Sequence, residues 1–319
     1  MKLTNRLFYG ALVLLGTLPG VPAMRAEKVE AAGTVPVRMT VTANVSNNKR
    51  MPVINQEDVL VKRGNDRLAV TEWAPARGDR AGLELFVLVD DAAGPTHGLQ
   101  LDSMRSFIKD QPSSTLIGVG YMSNSTVQIV QELTGDHARA ANALRLPMGN
   151  GGAFANPYLS VVDLMQRWPA SDNRHEVVMI TDGVERGRHR GRWAGYQTSP
   201  YADTATASAT TTGTNIHTIY APGNNRLYRG YWQTLNGQAN MARLSESTGG
   251  MSFYLGLHSA VSFEPYLRDL QKALNNQYLL SFDAKPGKKA GLQPIALSTE
   301  VAGVDFASHD AVWVPAAKP

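Results

Sequence analysis

The unbroken apolar run Leu85-Phe86-Val87-Leu88-Val89 constrains this chain more than any other feature. A strand exposed on one side alternates apolar with polar residues, whereas a strand covered on both faces need not, and such strands occupy the middle of parallel sheets. Glu176 to Ile180 repeats the pattern. Further strands are predicted at Leu116–Tyr121, Thr126–Val130, Asn215–Tyr220, Met251–Leu255 and Tyr278–Phe282. Segments with helical spacing separate them: Leu101–Ile108, Asp136–Leu144, Pro157–Trp168, Tyr201–Thr212, Gly237–Ser247 and Val261–Leu274. Strands alternating with helices predict an α/β fold, a doubly wound, mostly parallel, Rossmann-like sheet with helices on both faces.

The flanks follow a different rule. From Val35 to Ser46 apolar and polar residues alternate, the signature of a half-buried strand. Asp58–Lys62 and Arg67–Trp73 read as two more strands, and Leu292–Val301 and Ala311–Val314 as C-terminal ones. A lone strand cannot cover its own apolar face. Val35–Ser46 is therefore expected to share a small β domain with Leu292–Val301 or Ala311–Val314. The predicted organisation is residues 24–80 β-rich, 83–283 α/β, and 284–319 C-terminal strands packing with the N-terminal segment.

Residues 1–23 read as a secretory signal peptide: Lys2 and Arg6, an apolar run from Leu7 to Leu18, then Val21-Pro22-Ala23 as a cleavage site, with Ala26 marking a second. The run is too short to span a bilayer, which takes about 20 apolar residues. The chain is thus expected to be exported, periplasmic or secreted, with no transmembrane segment in the mature form. It has no cysteine, which excludes a disulfide framework and thiol chemistry. The net charge of +4 includes Lys2 and Arg6 and does not suggest a nucleic-acid partner.

Asp90 and Asp182 stand just beyond the two apolar strands. In open α/β sheets, ligands sit past the carboxyl ends of the strands, where the strand order switches. Two parallel central strands would bring both carboxylates to one rim, where they need a cation, a proton or a basic neighbour to coexist.

Here the chain resembles von Willebrand factor type A domains, and within them a branch common in secreted acidobacterial proteins. The family's metal-ion-dependent adhesion site has Asp-x-Ser-x-Ser after the first strand, a Thr in a later loop, and Thr-Asp-Gly after a central strand. This chain has Asp90-Asp91-Ala92-Ala93-Gly94, then Gly151 to Pro157 with Asn156 at the threonine place, then Thr181-Asp182-Gly183. Asp90, Asn156 and Asp182 are the metal ligands the resemblance implies. Ala92 and Gly94 replace both serines, so the site is degenerate. No cofactor is required, and weakly held magnesium is the one the resemblance allows. Other readings stay open: Asn156-Pro157 is a standard helix start, and Thr181-Asp182-Gly183 a turn.

Arg186, Arg188, Arg190 and Arg192 form a basic run just past Asp182. They would contact an acidic partner, or neutralise Asp90 and Asp182 if no metal binds. Tyr228, Tyr231 and Trp232, with Asp91, complete the expected partner-binding set, since aromatic and Arg side chains dominate binding hot spots. The seven histidines show no metal or catalytic spacing, and no Gly-x-Ser-x-Gly elbow occurs. Gly118-Val119-Gly120 lacks the remainder of a dinucleotide fingerprint. The expected function is an exported binding module, not an enzyme, contacting a protein or envelope component that the sequence does not identify. The alternatives are a metal-dependent hydrolase using Asp90 and Asp182, and a structural envelope protein with an inactive site.

Overall fold

Strand β1 (Val35–Val45) shows the expected alternation, with Val37, Met39, Val41 and Ala43 buried, but Thr40 and Thr42 on its other face are buried as well. The computed structural model describes residues 33–45, 51–94, 98–186, 198–222, 231–254 and 262–317. The segment expected to be a signal peptide, residues 1–23, lies outside them. After β1 come β2 (Val59–Arg63), β3 (Asp66–Leu68) and β4 (Val70–Pro75), so the strand expected over Arg67–Trp73 is two short ones.

The α/β part follows: β5 (Leu83–Asp90), α1 (Gly98–Lys109), β6 (Thr115–Ser123), β7 (Thr126–Thr134), α2 (His137–Asn142), α3 (Pro157–Arg167) and β8 (Arg174–Thr181). Then come α4 (Pro200–Thr212), β9 (Thr214–Tyr220), α5 (Tyr231–Ser247), β10 (Ser252–Phe253) and α6 (Glu264–Asn275). The sheet order is β10-β9-β8-β5-β6-β7. Every neighbouring pair is parallel except β6 and β7. The chain winds one way from β5 through β6 to β7, then returns to β8 on the other side of β5. That is the doubly wound arrangement, with its switch point between β5 and β8.

The double-sided burial of β5 explains the unbroken apolar run. Leu85, Val87 and Val89 face one layer with Leu101, Met104 and Ile108 of α1 and Leu267, Leu270 and Leu274 of α6. Phe86 and Leu88 face the other, with Tyr158, Val161 and Leu164 of α3 and the alanines of α4. At roughly 1.5–3 kcal/mol for each large side chain buried, these two layers hold the sheet rigid beneath its rim. Gly118 and Gly120 are packing residues: a Cβ on Gly118 would lie 2.3 Å from the Phe86 ring, and one on Gly120 2.6 Å from Val127.

The last strands are β11 (Gln277–Ala284), β12 (Gly291–Pro294), β13 (Ala296–Thr299), β14 (Val304–Ala307) and β15 (Ala311–Val314). β11 does not join the central sheet, although its apolar Leu279-Leu280 suggested it. It pairs antiparallel with β1, Val35 opposite Ala284 through Thr42 opposite Gln277, in a sheet ordered β14-β1-β11-β4. A second sheet is ordered β13-β2-β3, and β12 pairs with β15. The partners of β1 are thus β11 and β14, whereas β13, inside the expected Leu292–Val301 strand, pairs with β2. These strands share a core of Val37, Val41, Val61, Phe282, Val304 and Val314. Helix α6 packs across β1, and Gln277 Nε2 donates to Thr42 Oγ1 at 3.3 Å, which accounts for the buried threonine.

Candidate functional site

Asp90 ends β5, and Asp182 is the first residue after β8, so both carboxylates stand on one edge of the sheet at its switch point. Both are buried. Asp90 Oδ1 accepts from the Ala92 amide at 2.8 Å, and Oδ2 from the Thr181 hydroxyl at 2.7 Å. Burial pushes the Asp90 carboxyl above its usual range, against the opposing influence of Arg186, Thr181 and the Ala92 amide. Asp182 Oδ1 accepts from the Val184 amide at 2.9 Å, and Oδ2 from Arg186 Nη2 at 3.1 Å. Gly183 takes φ +68°, and a side chain there would meet the Gly237 carbonyl at 2.6 Å. The glycine of Thr181-Asp182-Gly183 is thus required by the turn and by the close approach of α5.

Arg186 is held by its backbone as well as its side chain. Its amide donates to the Ala155 carbonyl at 2.6 Å. Beneath its guanidinium lies Gly151, where an added Cβ would come within 2.9 Å of Ala92 and Ala155 and 3.5 Å of Arg186 Nη1. The floor is therefore made of methyl groups and glycine, and a guanidinium stands over it.

Asn156 caps α3, its Oδ1 accepting from the Tyr158 and Leu159 amides at 3.0 and 3.2 Å. The donor set fits a metal poorly. The oxygens of Asp90, Asn156 and Asp182 are engaged by protein donors, Ala92 and Gly94 offer none, and a fixed cation already answers the acid pair. Among the described residues no group of three or more His, Asp or Glu side chains is placed to hold a metal ion.

Asp91 is a correction to the expected partner-binding set. Its carboxylate is wholly buried and held bidentately by Arg145, at 2.7 and 2.9 Å, with the Met148 amide a third donor at 3.2 Å. The Arg145 guanidinium also lies 3.7 Å from the centre of the Tyr121 ring. Asp91 anchors the rim loop and is not presented to a partner. Arg188, Arg190, Arg192 and Tyr228 lie outside the described residues. Tyr231 and Trp232 open α5, both exposed, in edge-to-face contact at 5.5 Å.

A cleft of about 400 Å³ opens beside the acid pair, lined by Phe154, Asn156, Glu185, Arg186, Ser199 and Asn240 among others. Burial raises the Glu185 carboxyl above its ordinary range, and the Ser199 hydroxyl donates to it in opposition. The loop anchored by Asp91 leaves Leu146, Met148 and Phe154 exposed. Sequence reasoning missed these three and Arg145. The apolar ones sit in a glycine- and proline-rich loop with no periodicity to mark them.

No family model and no curated protein matches the chain. Solved structures give distant likenesses. A von Willebrand factor type A protein from Catenulispora acidiphila is 9% identical, over 82% of this chain and 73% of that one, with a TM-score of 0.43. The ArnB paralog VWA2 from Sulfolobus acidocaldarius is 10% identical, over 86% and 74%, with a TM-score of 0.40. An aerotolerance-related membrane protein from Bacteroides fragilis is 13% identical, over 61% and 99%, also at 0.40. The strand order of the central sheet, with its one antiparallel edge and two carboxylates at the switch point, is the doubly wound α/β arrangement that the resemblance to von Willebrand factor type A domains implies.

Proposed function

We propose that this chain is an exported interaction module that binds a protein or envelope component through the rim at the carboxyl ends of its central strands, and that it is not an enzyme. The observation carrying this reading is the set of exposed apolar and aromatic side chains on that rim: Leu146, Met148, Phe154, Tyr231 and Trp232. Large apolar groups left in water beside a cleft mark an interaction surface, and aromatic side chains supply most of the binding energy at such surfaces. The carboxylates support the same reading. Each oxygen of Asp90 and Asp182 accepts from a protein donor, among them Thr181, Ala92, Val184 and Arg186, which suits a rigid frame better than a reacting group.

The test is site-specific photo-crosslinking in native envelopes. A photoreactive residue at Met148, Phe154 or Trp232 is expected to capture a common partner. One at Val53, an exposed position in the β-rich part, should not. Equal capture from Val53, or none from the rim, would overturn the assignment. N-terminal sequencing of the envelope form is expected to begin after Ala23 or Ala26.

A further inference from the structure

A groove of about 620 Å³ lies between α5 and the C-terminal strands and shares no lining residue with the rim cleft. Three strands that end three different sheets meet there: β10 closes the central sheet, β13 the three-stranded sheet, and β14 the four-stranded one. Ser252 of β10, Ala296 of β13 and Ala307 of β14 all line it. β13 and β14 are consecutive strands that splay into separate sheets, and the groove enters between them.

The open edge of β10 has a definite direction. The Met251 carbonyl accepts from the Thr218 amide at 2.8 Å, toward β9. Backbone groups alternate sides along a strand, so the N–H and C=O of Ser252 face away from β9, on the side where no described strand pairs with β10. β10 is only two residues long, so the walls must contribute as much as its backbone. Their charge is one-sided. Glu246 on α5 and Asp310 beyond β14 are exposed, and among the described residues no Lys or Arg lines the groove. Tyr254, half exposed, supplies an aromatic face at the same place.

We propose that this groove takes an extended peptide segment bearing Lys or Arg, added as a strand along the open edge of β10 with its basic side chains directed to Glu246 and Asp310. Backbone pairing supplies recognition of an extended chain, and the two carboxylates select its charge. The proposal is independent of the rim reading, because the two sites share no residue.

The probe is a dye-labelled peptide of about six residues alternating Lys with Thr or Val, a normal strand length. It is compared with the same peptide carrying Glu for Lys, and with one N-methylated at alternate residues. The protein is the mature full chain with Tyr254→Trp as reporter. The Lys peptide is expected to shift the tryptophan emission. Glu replacement and N-methylation should each weaken binding roughly tenfold or more. Glu246→Lys with Asp310→Lys should invert the charge preference. Both positions are exposed, and a melting curve checks that the variant folds; if it does not, the peptide comparison on the parent still decides. No emission shift, equal binding of the N-methylated peptide, or equal binding of Lys and Glu peptides would each overturn the proposal. So would a dimer that Asp310→Lys dissociates, since the occupant would then be a second copy of the chain.

Discussion

Arg186 Nη2 lies 3.1 Å from Asp182 Oδ2, four residues back along the chain, and its charge also acts on Asp90 at the end of the adjacent strand. One guanidinium therefore answers two buried carboxylates. Asp182 is 1% exposed and Arg186 28%, so the cation is the solvent-facing member. Like charges brought together in a dry place need such a partner, and here a side chain supplies it.

Arg186→Gln is accordingly expected to lower stability by about 2–4 kcal/mol, because it leaves buried carboxylate charge uncompensated. Urea denaturation at pH 7 measures this. Millimolar magnesium or a chelator should leave the parent melting temperature unchanged. In the variant, magnesium should raise it, as a ligand of the folded state alone does. A parent that melts many degrees higher with micromolar magnesium would refute the assignment of Arg186 as the resident cation.

The Asp91–Arg145 pair makes a separate prediction. Arg145→Ala removes both arms of the bidentate contact and the cation over Tyr121, at a cost of about 2–4 kcal/mol. Arg145→Lys should recover part of this, because an ammonium keeps the charge but not the fork. The effect should appear locally too, as faster amide exchange at Met148, whose N–H bonds to Asp91. Unchanged exchange at Met148 would show that the carboxylate does not anchor the loop.

How far this could be read from the sequence depended on whether the deciding contact was local. The double-sided burial of β5 and β8 is written in consecutive residues, so the strands, their parallel pairing and the shared edge of Asp90 and Asp182 were legible. The N-cap role of Asn156 was legible for the same reason, since the amides that donate to it lie two and three residues away. Arg186 was read as one of two things, a partner contact or a counter-ion for Asp90 and Asp182. The structure pairs it with Asp182.

Contacts distant in sequence were not legible. Leu279 and Leu280 are both buried, so β11 looked like another central strand; which sheet it joins is decided by β1, far away in the chain. β14 was overlooked because, of its four residues, only Val304 is buried. Asp91 meets Arg145 across 54 positions, and nothing local distinguishes a doubly held carboxylate from a free one. α5 was expected from Gly237 but begins at Tyr231, because its first turn carries the exposed aromatics and no apolar stripe.

The outer edge of β7 is protected by α3. Asp163 Oδ2 accepts from the Val127 amide at 2.8 Å, and Arg167 Nη2 donates to the Val127 carbonyl at 2.6 Å and to Asp163. Two register shifts interrupt the β6–β7 ladder beyond. Clamps and bulges of this kind keep an edge strand from pairing with another chain. Asp163→Ala with Arg167→Ala should cost only about 1–2 kcal/mol. It should nonetheless raise the weight-average mass in sedimentation above that of the parent. An unchanged mass over a wide concentration range would remove the edge from consideration.

His309 sets a pH dependence whose sign can be worked out. It is 2% exposed, bridges in the backbone to Thr248, and burial lowers its pKa from 6.5 to about 4. Between those values the unfolded chain holds a proton that the folded chain does not. Stability therefore falls as the pH falls through this window and is fully retained above 6.5. The loss from pH 7 to pH 5 is on the order of 2 kcal/mol for this one group. Other buried groups contribute as well: burial also lowers the pKa of His175 and raises that of Asp90, with opposite consequences on acidification. Comparing the parent with His309→Gln cancels them. Urea midpoints taken at several pH values should show the variant losing less stability than the parent between pH 7 and pH 5, with the two curves parallel above pH 7. If the curves stay parallel down to pH 5, His309 is protonated as easily in the fold as outside it, and its burial exerts no control over stability.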